Sequence, residues 1–137
     1  MNIPKNLFYT KDHEWARIEG KSVYVGITDY AQGSLGDITF IDLPKVKDVL
    51  KQSEYCATVE SVKAASEVFA PFSGTVSSAN SELLAHPELV NKSPYESGYF
   101  FVMEILNEAE KSNLMDAATY ELYVQGLANE LCSAYKR

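Results

Sequence analysis

Thr58-Val59-Glu60-Ser61-Val62-Lys63-Ala64-Ala65-Ser66-Glu67-Val68 decides the fold. A run of β-forming residues enters this stretch and another leaves it, so it reads as two strands joined by a short turn with Lys63 near its centre. A lysine at that point stands at a hairpin tip, solvated and away from any core. Its small neighbours Ala64 and Ala65 leave room for an enzyme to grip the loop. An exposed loop lysine is ordinarily only a solvated charge, and the chain holds 12 Lys and Arg, so Lys63 taken alone selects no function.

The flanking sequence continues the β pattern. Trp15-Ala16-Arg17-Ile18 and Val23-Tyr24-Val25-Gly26-Ile27 are β-formers on either side of Glu19-Gly20-Lys21-Ser22, a second hairpin. Thr28 or Asp29 caps a helix of about two turns that ends near Gly33 and Gly36. Over 37–43 polar and apolar residues alternate. This places Ile38, Phe40 and Asp42 on one face and Thr39, Ile41 and Leu43 on the other, until Pro44 stops the strand. Further strands are predicted over 54–60, 67–70, 74–78 and 99–106, with turn chemistry at Pro71-Phe72-Ser73-Gly74. Short, evenly spaced strands point to a small sandwich or flattened barrel.

After Leu106 the period changes. Tyr120, Tyr123, Val124, Leu127 and Leu131 recur at three- and four-residue spacing over 116–135, one apolar stripe on a helix that Gly126 weakens by up to about 1 kcal/mol. That helix is expected to pack on the sandwich and cover an edge or an open face. The expectation is one domain over 1–137, with 107–137 a largely helical C-terminal extension.

Composition narrows the partners. With 46% hydrophobic and 23% charged residues the chain is of ordinary globular type. A net charge of −7 with scattered basic residues speaks against nucleic acid and anionic membrane, and favours steering towards basic faces of enzymes. Met1-Asn2-Ile3-Pro4-Lys5 has no signal-peptide apolar region and no Arg- and Ser-rich transit character. A cytoplasmic protein is expected, or one of the mitochondrial matrix if this is a processed form. Cys56 and Cys132 form no CxxC and are expected to be reduced, buried thiols. Ser61 and Lys63 do not place a desolvated lysine against a buried serine, and His13-Glu14 with His86 lacks HExxH spacing, so neither a serine–lysine nor a zinc hydrolase is supported.

Several blocks in order resemble one family. Glu60-Ser61-Val62-Lys63-Ala64 is similar to the lipoylation loop of the H proteins of the glycine cleavage system. Tyr9-Thr10-Lys11-Asp12-His13-Glu14-Trp15, Val25-Gly26-Ile27-Thr28-Asp29-Tyr30-Ala31-Gln32, Leu35-Gly36-Asp37-Ile38 and Pro87-Glu88-Leu89-Val90-Asn91 to Pro94-Tyr95 resemble further blocks of the same family. The chain departs from it at Tyr99, where a Trp is expected after Gly98, and over 47–53, which lacks the usual glycines.

The resemblance implies a mainly β hammerhead, or barrel-sandwich hybrid, like a lipoyl domain, with short helices and a C-terminal helix. It implies a carrier without catalysis of its own, with lipoate in amide linkage to Lys63 and Glu60, Ser61, Val62, Ala64 and Glu67 as the loop the attaching enzyme reads. That enzyme is a lipoate ligase or an octanoyl or lipoyl transferase. In the implied cycle a pyridoxal-phosphate glycine decarboxylase (P protein) loads an aminomethyl group, a folate-dependent aminomethyltransferase (T protein) removes its carbon, and dihydrolipoyl dehydrogenase (L protein) reoxidises the dithiol. The loaded arm is expected to dock beside Glu14, with Asp12 and Glu67 as further carboxylates; the alternative for Glu14 is a solvated strand residue. Trp15, Tyr24, Phe40, Tyr95, Tyr99 and Phe100 are expected to pack in the core or at strand edges, and His13 to pack or cap locally.

Two related functions fit less of the pattern. A biotinyl carrier shares the hairpin lysine but flanks it with methionines, whereas Val62 and Ala64 flank it here; a 2-oxoacid dehydrogenase lipoyl domain shows Asp-Lys-Ala. A lipoyl donor that relays the group to other complexes keeps the modification and changes its purpose, and the presence or absence of the P and T proteins in the host separates the two roles.

Overall fold

A computed structural model describes the backbone of residues 1–136 and the side chains of residues 1–127. Among the described residues, two antiparallel sheets face each other. The larger contains β1 (Phe8–Tyr9), β2 (Glu14–Glu19), β3 (Ser22–Ile27), β5 (Val49–Leu50), β8 (Gly74–Ala79) and β9 (Phe101–Ile105), in the order β1-β2-β3-β9-β8-β5. The smaller has the order β4-β6-β7, from β4 (Ile38–Asp42), β6 (Tyr55–Ser61) and β7 (Ala65–Phe69). Short helices α1 (Asp29–Leu35), α2 (Glu82–Ala85) and α3 (Leu89–Lys92), and a 3-10 segment at Glu108–Asn113, fill the connections before α4 (Ala117–Lys136). The fold is the mainly β barrel-sandwich with short helices and a C-terminal helix.

The core lies between the sheets. Val23, Val25 and Met103 from the larger sheet share one buried cluster with Ile41, Val59 and Val68 from the smaller, together with Phe72, Phe100 and Phe101. The β2–β3 hairpin pairs from Glu14↔Ile27 to Glu19↔Ser22, as its β-formers predict. Its glycine is needed for close approach: a Cβ on Gly26 would meet the Trp15 ring at 2.7 Å. Thr28 caps α1 by accepting from the Ala31 amide at 3.3 Å.

A second cluster, of Leu7, Tyr9, Trp15, Tyr95, Ala117, Tyr120 and Val124, seats α4 over β1, the edge strand of the larger sheet. Tyr120 stacks on Tyr9 with centroids 4.5 Å apart, and its hydroxyl meets His13 Nδ1 at 2.8 Å and Thr28 Oγ1 at 2.7 Å. Tyr120 and Val124 are the buried members of the expected stripe; Tyr123 is half-buried, and the side chains of Leu131 and Cys132 lie outside the described residues. Cys56 is a free buried thiol, with burial pushing its pKa up.

One expectation is corrected. A register shift in β4 between Ile38 and Phe40 breaks the predicted alternation: Ile38 and Ile41 are buried, while Phe40 turns outward and is 51% exposed rather than packed. The chain over 47–53 makes its turns without glycine by holding Lys47 at φ 78 and Ser53 at φ 71, both left-handed. No helix among the described residues is long and apolar enough to cross a membrane, and no cluster of His, Cys, Asp and Glu there has the makings of a metal site.

Candidate functional site

β6 and β7 form the hairpin that the sequence predicts, paired from Tyr55↔Phe69 to Glu60↔Ala65, and leave Val62, Lys63 and Ala64 as its loop. All three are exposed. Ser61 shapes the turn: its amide donates to the Ala64 carbonyl at 2.8 Å, and its hydroxyl oxygen accepts from the Lys63 and Ala64 amides at 3.3 and 3.1 Å. The Val62 amide donates to the Asp37 carbonyl at 3.1 Å, tying the loop to the residue before β4. Lys63 is thus an accessible amine on a defined turn.

At the far end of β7 the surface folds inward into a cleft of about 400 Å³. Thr10, Lys11 and Asp12 form one wall and Asn113, Leu114 and Met115 another; Gln52, Ser53 and Phe69 to Pro71 complete it. Glu14 is at its floor and only 1% exposed. The Thr10 hydroxyl donates to one carboxyl oxygen at 2.5 Å and the Phe69 amide to the other at 3.3 Å. Burial outweighs these donors, with Asp12 adding repulsion, and pushes the Glu14 pKa up to about 7. A buried carboxyl that gains and loses its proton near neutrality, at the bottom of an open cleft, is suited to meeting a cation.

The structure therefore brings Glu14 and Asp12 to one cleft, removes the solvated-strand alternative for Glu14, and puts Lys63 at the opposite end of β7. Glu67 is exposed on β7 across from Thr58 and is not among the cleft residues. Glu60 projects from β6 beside Ala65, also exposed. His13 packs: its ring lies 4.5 Å from Tyr30, its Nδ1 meets Tyr120, and desolvation lowers its pKa. The walls supplied by Gln52, Ser53 and residues 113–115 were not foreseen. They come from two distant segments, and only the glycine-free stretch 47–53 carried a signal.

The family model for the glycine cleavage H-protein matches residues 7–126. The chain belongs to that family. It is 49% identical to a glycine cleavage system H protein of Halothermothrix orenii over 125 residues, covering 91% of this chain and 98% of that one. With the H protein of Brevibacillus brevis the identity is 50% over 125 residues, covering 91% and 99%. The crystal structure of the glycine cleavage system H protein from Mycobacterium marinum superposes with a TM-score of 0.79 at 32% identity, covering 92% of this chain and 99% of that one. Lys63, Glu14 and every cleft residue fall inside the stretch matched as H protein.

Proposed function

We propose that this H protein is a non-catalytic carrier in which residues 1–137 act as one unit, Lys63 holds lipoate in amide linkage, and the Glu14 cleft shelters what the arm carries. The observation that carries the reading is the layout of β7, with an accessible lysine at one end and a cleft floored by a buried carboxyl at the other. Four residue steps from Ala65 to Phe69 span about 13 Å at strand rise. A lysine extended by lipoate reaches on the order of 10 Å or more, so tip and cleft are matched in scale. When bound, lipoate supplies a reversible disulfide.

The chain's residues do the rest. Ser61 fixes the turn, while Glu60, Val62, Ala64 and Glu67 surround the lysine as the surface the attaching enzyme reads. On attachment from an acyl-adenylate the carbonyl–Nζ bond forms as the acyl–phosphate bond breaks, AMP leaves, and the ammonium sheds two protons to solvent. The charge that would oppose contact with a partly apolar cleft is gone. At the cleft, Glu14 in its carboxylate form accepts a charge-assisted hydrogen bond from the methylammonium of an aminomethyl cargo, oriented by Thr10 and the Phe69 amide. Asp12 adds negative charge at the rim, and Glu67 lines the path along β7. Excluding water there slows the reaction that would otherwise give free thiol, formaldehyde and ammonium.

Family membership supports the P, T and L proteins as the enzymes served, the attaching enzyme as a fourth partner, and the cytoplasm as the compartment. The test is incorporation of lipoate by a lipoate ligase with ATP. The parent protein gains one lipoyl group and Lys63→Arg gains none, since a guanidinium offers no comparable nucleophile. An adduct of equal yield on the variant would place attachment elsewhere.

A further inference from the structure

The block Pro87-Glu88-Leu89-Val90-Asn91 is far in sequence from the attachment loop and has so far no part in its chemistry. Asn91, half-buried on α3, uses its whole amide. Oδ1 accepts from the Ile38 amide at 2.9 Å, and Nδ2 donates to the Gly36 carbonyl at 2.9 Å and to Gln32 Oε1 at 2.9 Å. One side chain therefore grips both sides of Asp37. The turn it grips is unusual: Gly36 has φ 80 and ψ −153, a conformation essentially confined to glycine.

That turn touches the lysine loop twice. The Asp37 carbonyl accepts from the Val62 amide, the only hydrogen bond among the described residues that joins residues 62–64 to anything outside their own hairpin. Lys63 Cε lies 3.7 Å from where a Cβ on Gly36 would be, so the lysine stem passes close beside the glycine. A chain of contacts runs from Asn91 through Gly36 and Asp37 to Val62 and Lys63. Gln32 in turn donates to Asp29 at 2.7 Å, which anchors the same network on α1.

We infer that Asn91 is a positioning residue for Lys63: it fixes the 36–38 turn, and the turn holds the loop in the conformation an attaching enzyme accepts. The inference rests on Lys63 being the attachment point. A loop released from its strut samples several conformations, and an enzyme that binds one of them sees its effective affinity fall by the fraction populated. The effect belongs in KM, not in the acyl transfer that follows binding.

The experiment is steady-state lipoylation of the full chain by a lipoate ligase with ATP and lipoate, beside amide exchange at Val62. Asn91→Ala is expected to raise KM for the carrier about tenfold with kcat within about twofold, and to speed exchange at Val62 more than at Val25 or Met103. Asn91→Asp keeps the acceptor for Ile38 but sets a carboxylate oxygen against the Gly36 and Gln32 oxygens; a rise of about threefold is expected, and this variant carries the test if the alanine does not fold. A merely structural role lowers thermal stability and leaves KM per folded molecule and Val62 exchange unchanged, and that result overturns the inference. Failure of the parent to accept lipoate, or acceptance by Lys63→Arg, defeats instead the reading of Lys63 itself.

Discussion

The two ends of β7 are built on opposite principles. At the Ala65 end the chain gives up burial: residues 62 to 67 are exposed, and the loop is held by a serine hydroxyl, a few backbone bonds and one strut to Asp37. At the Phe69 end it gives up solvation: a carboxyl is taken almost wholly out of water and held by Thr10 and the Phe69 amide, at a cost visible in its raised pKa. The first arrangement suits a group that several enzymes must reach, the second a group that water must not. The exposed end needs little from the rest of the molecule beyond the strut. The sheltered end draws on β2, β7, the 113–115 segment and, through His13 and Tyr120, on α4.

This contrast predicts that substitutions at the sheltered end alter stability and retention of cargo, and leave lipoate attachment alone. The largest effect is at Glu14. Its folded pKa of about 7 exceeds the ordinary 4.5, so the native state holds the proton more tightly than the unfolded chain. That stabilisation is complete below about pH 4.5 and is lost as pH rises through about 7. Glu14→Gln, neutral at every pH, should be more stable than the parent by about 3 kcal/mol at pH 8 and equal to it at low pH, measured by urea unfolding across pH. The same variant should release the aminomethyl group roughly tenfold faster, the worth of one charge-assisted hydrogen bond. A parallel pair of stability curves, or equal release rates, removes Glu14 from the sheltered end.

Tyr120→Phe keeps the stack on Tyr9 and deletes the hydroxyl between His13 and Thr28. A loss of about 1–2 kcal/mol in urea unfolding is expected, with unchanged KM for lipoylation. A raised KM would show that the two ends are not independent. The smallest effect is at Ser53, a cleft residue in the left-handed region. Glycine there relieves strain but frees the unfolded chain, so Ser53→Gly should stabilise by no more than about 1 kcal/mol. Destabilisation instead would assign the serine side chain a part in the cleft wall.

The exposed end was legible in the sequence because hairpins are local. The β-formers around Ser61 to Ala64, the Thr28 cap and the stripe carrying Tyr120 and Val124 each declare themselves within a few residues. The sheltered end was not legible in the same way. Glu14, Trp15 and Ala16 are consecutive and all buried, because β2 is covered by the sandwich core on one face and the α4 aromatic cluster on the other, which erases the period of two. A bulge concealed the outward turn of Phe40, and β1 and β5 are two-residue strands too short to show a period. Resemblance to a family pointed to Glu14, while its burial and the cleft walls are tertiary facts.

The most direct test of the account is peptide-resolved mass analysis of the protein isolated from its native host. A lipoyl group is expected on the peptide that contains Lys63 and on no other. A bare Lys63 in cells with abundant lipoate and an active attaching enzyme, or a lipoyl group on a different lysine, would contradict it.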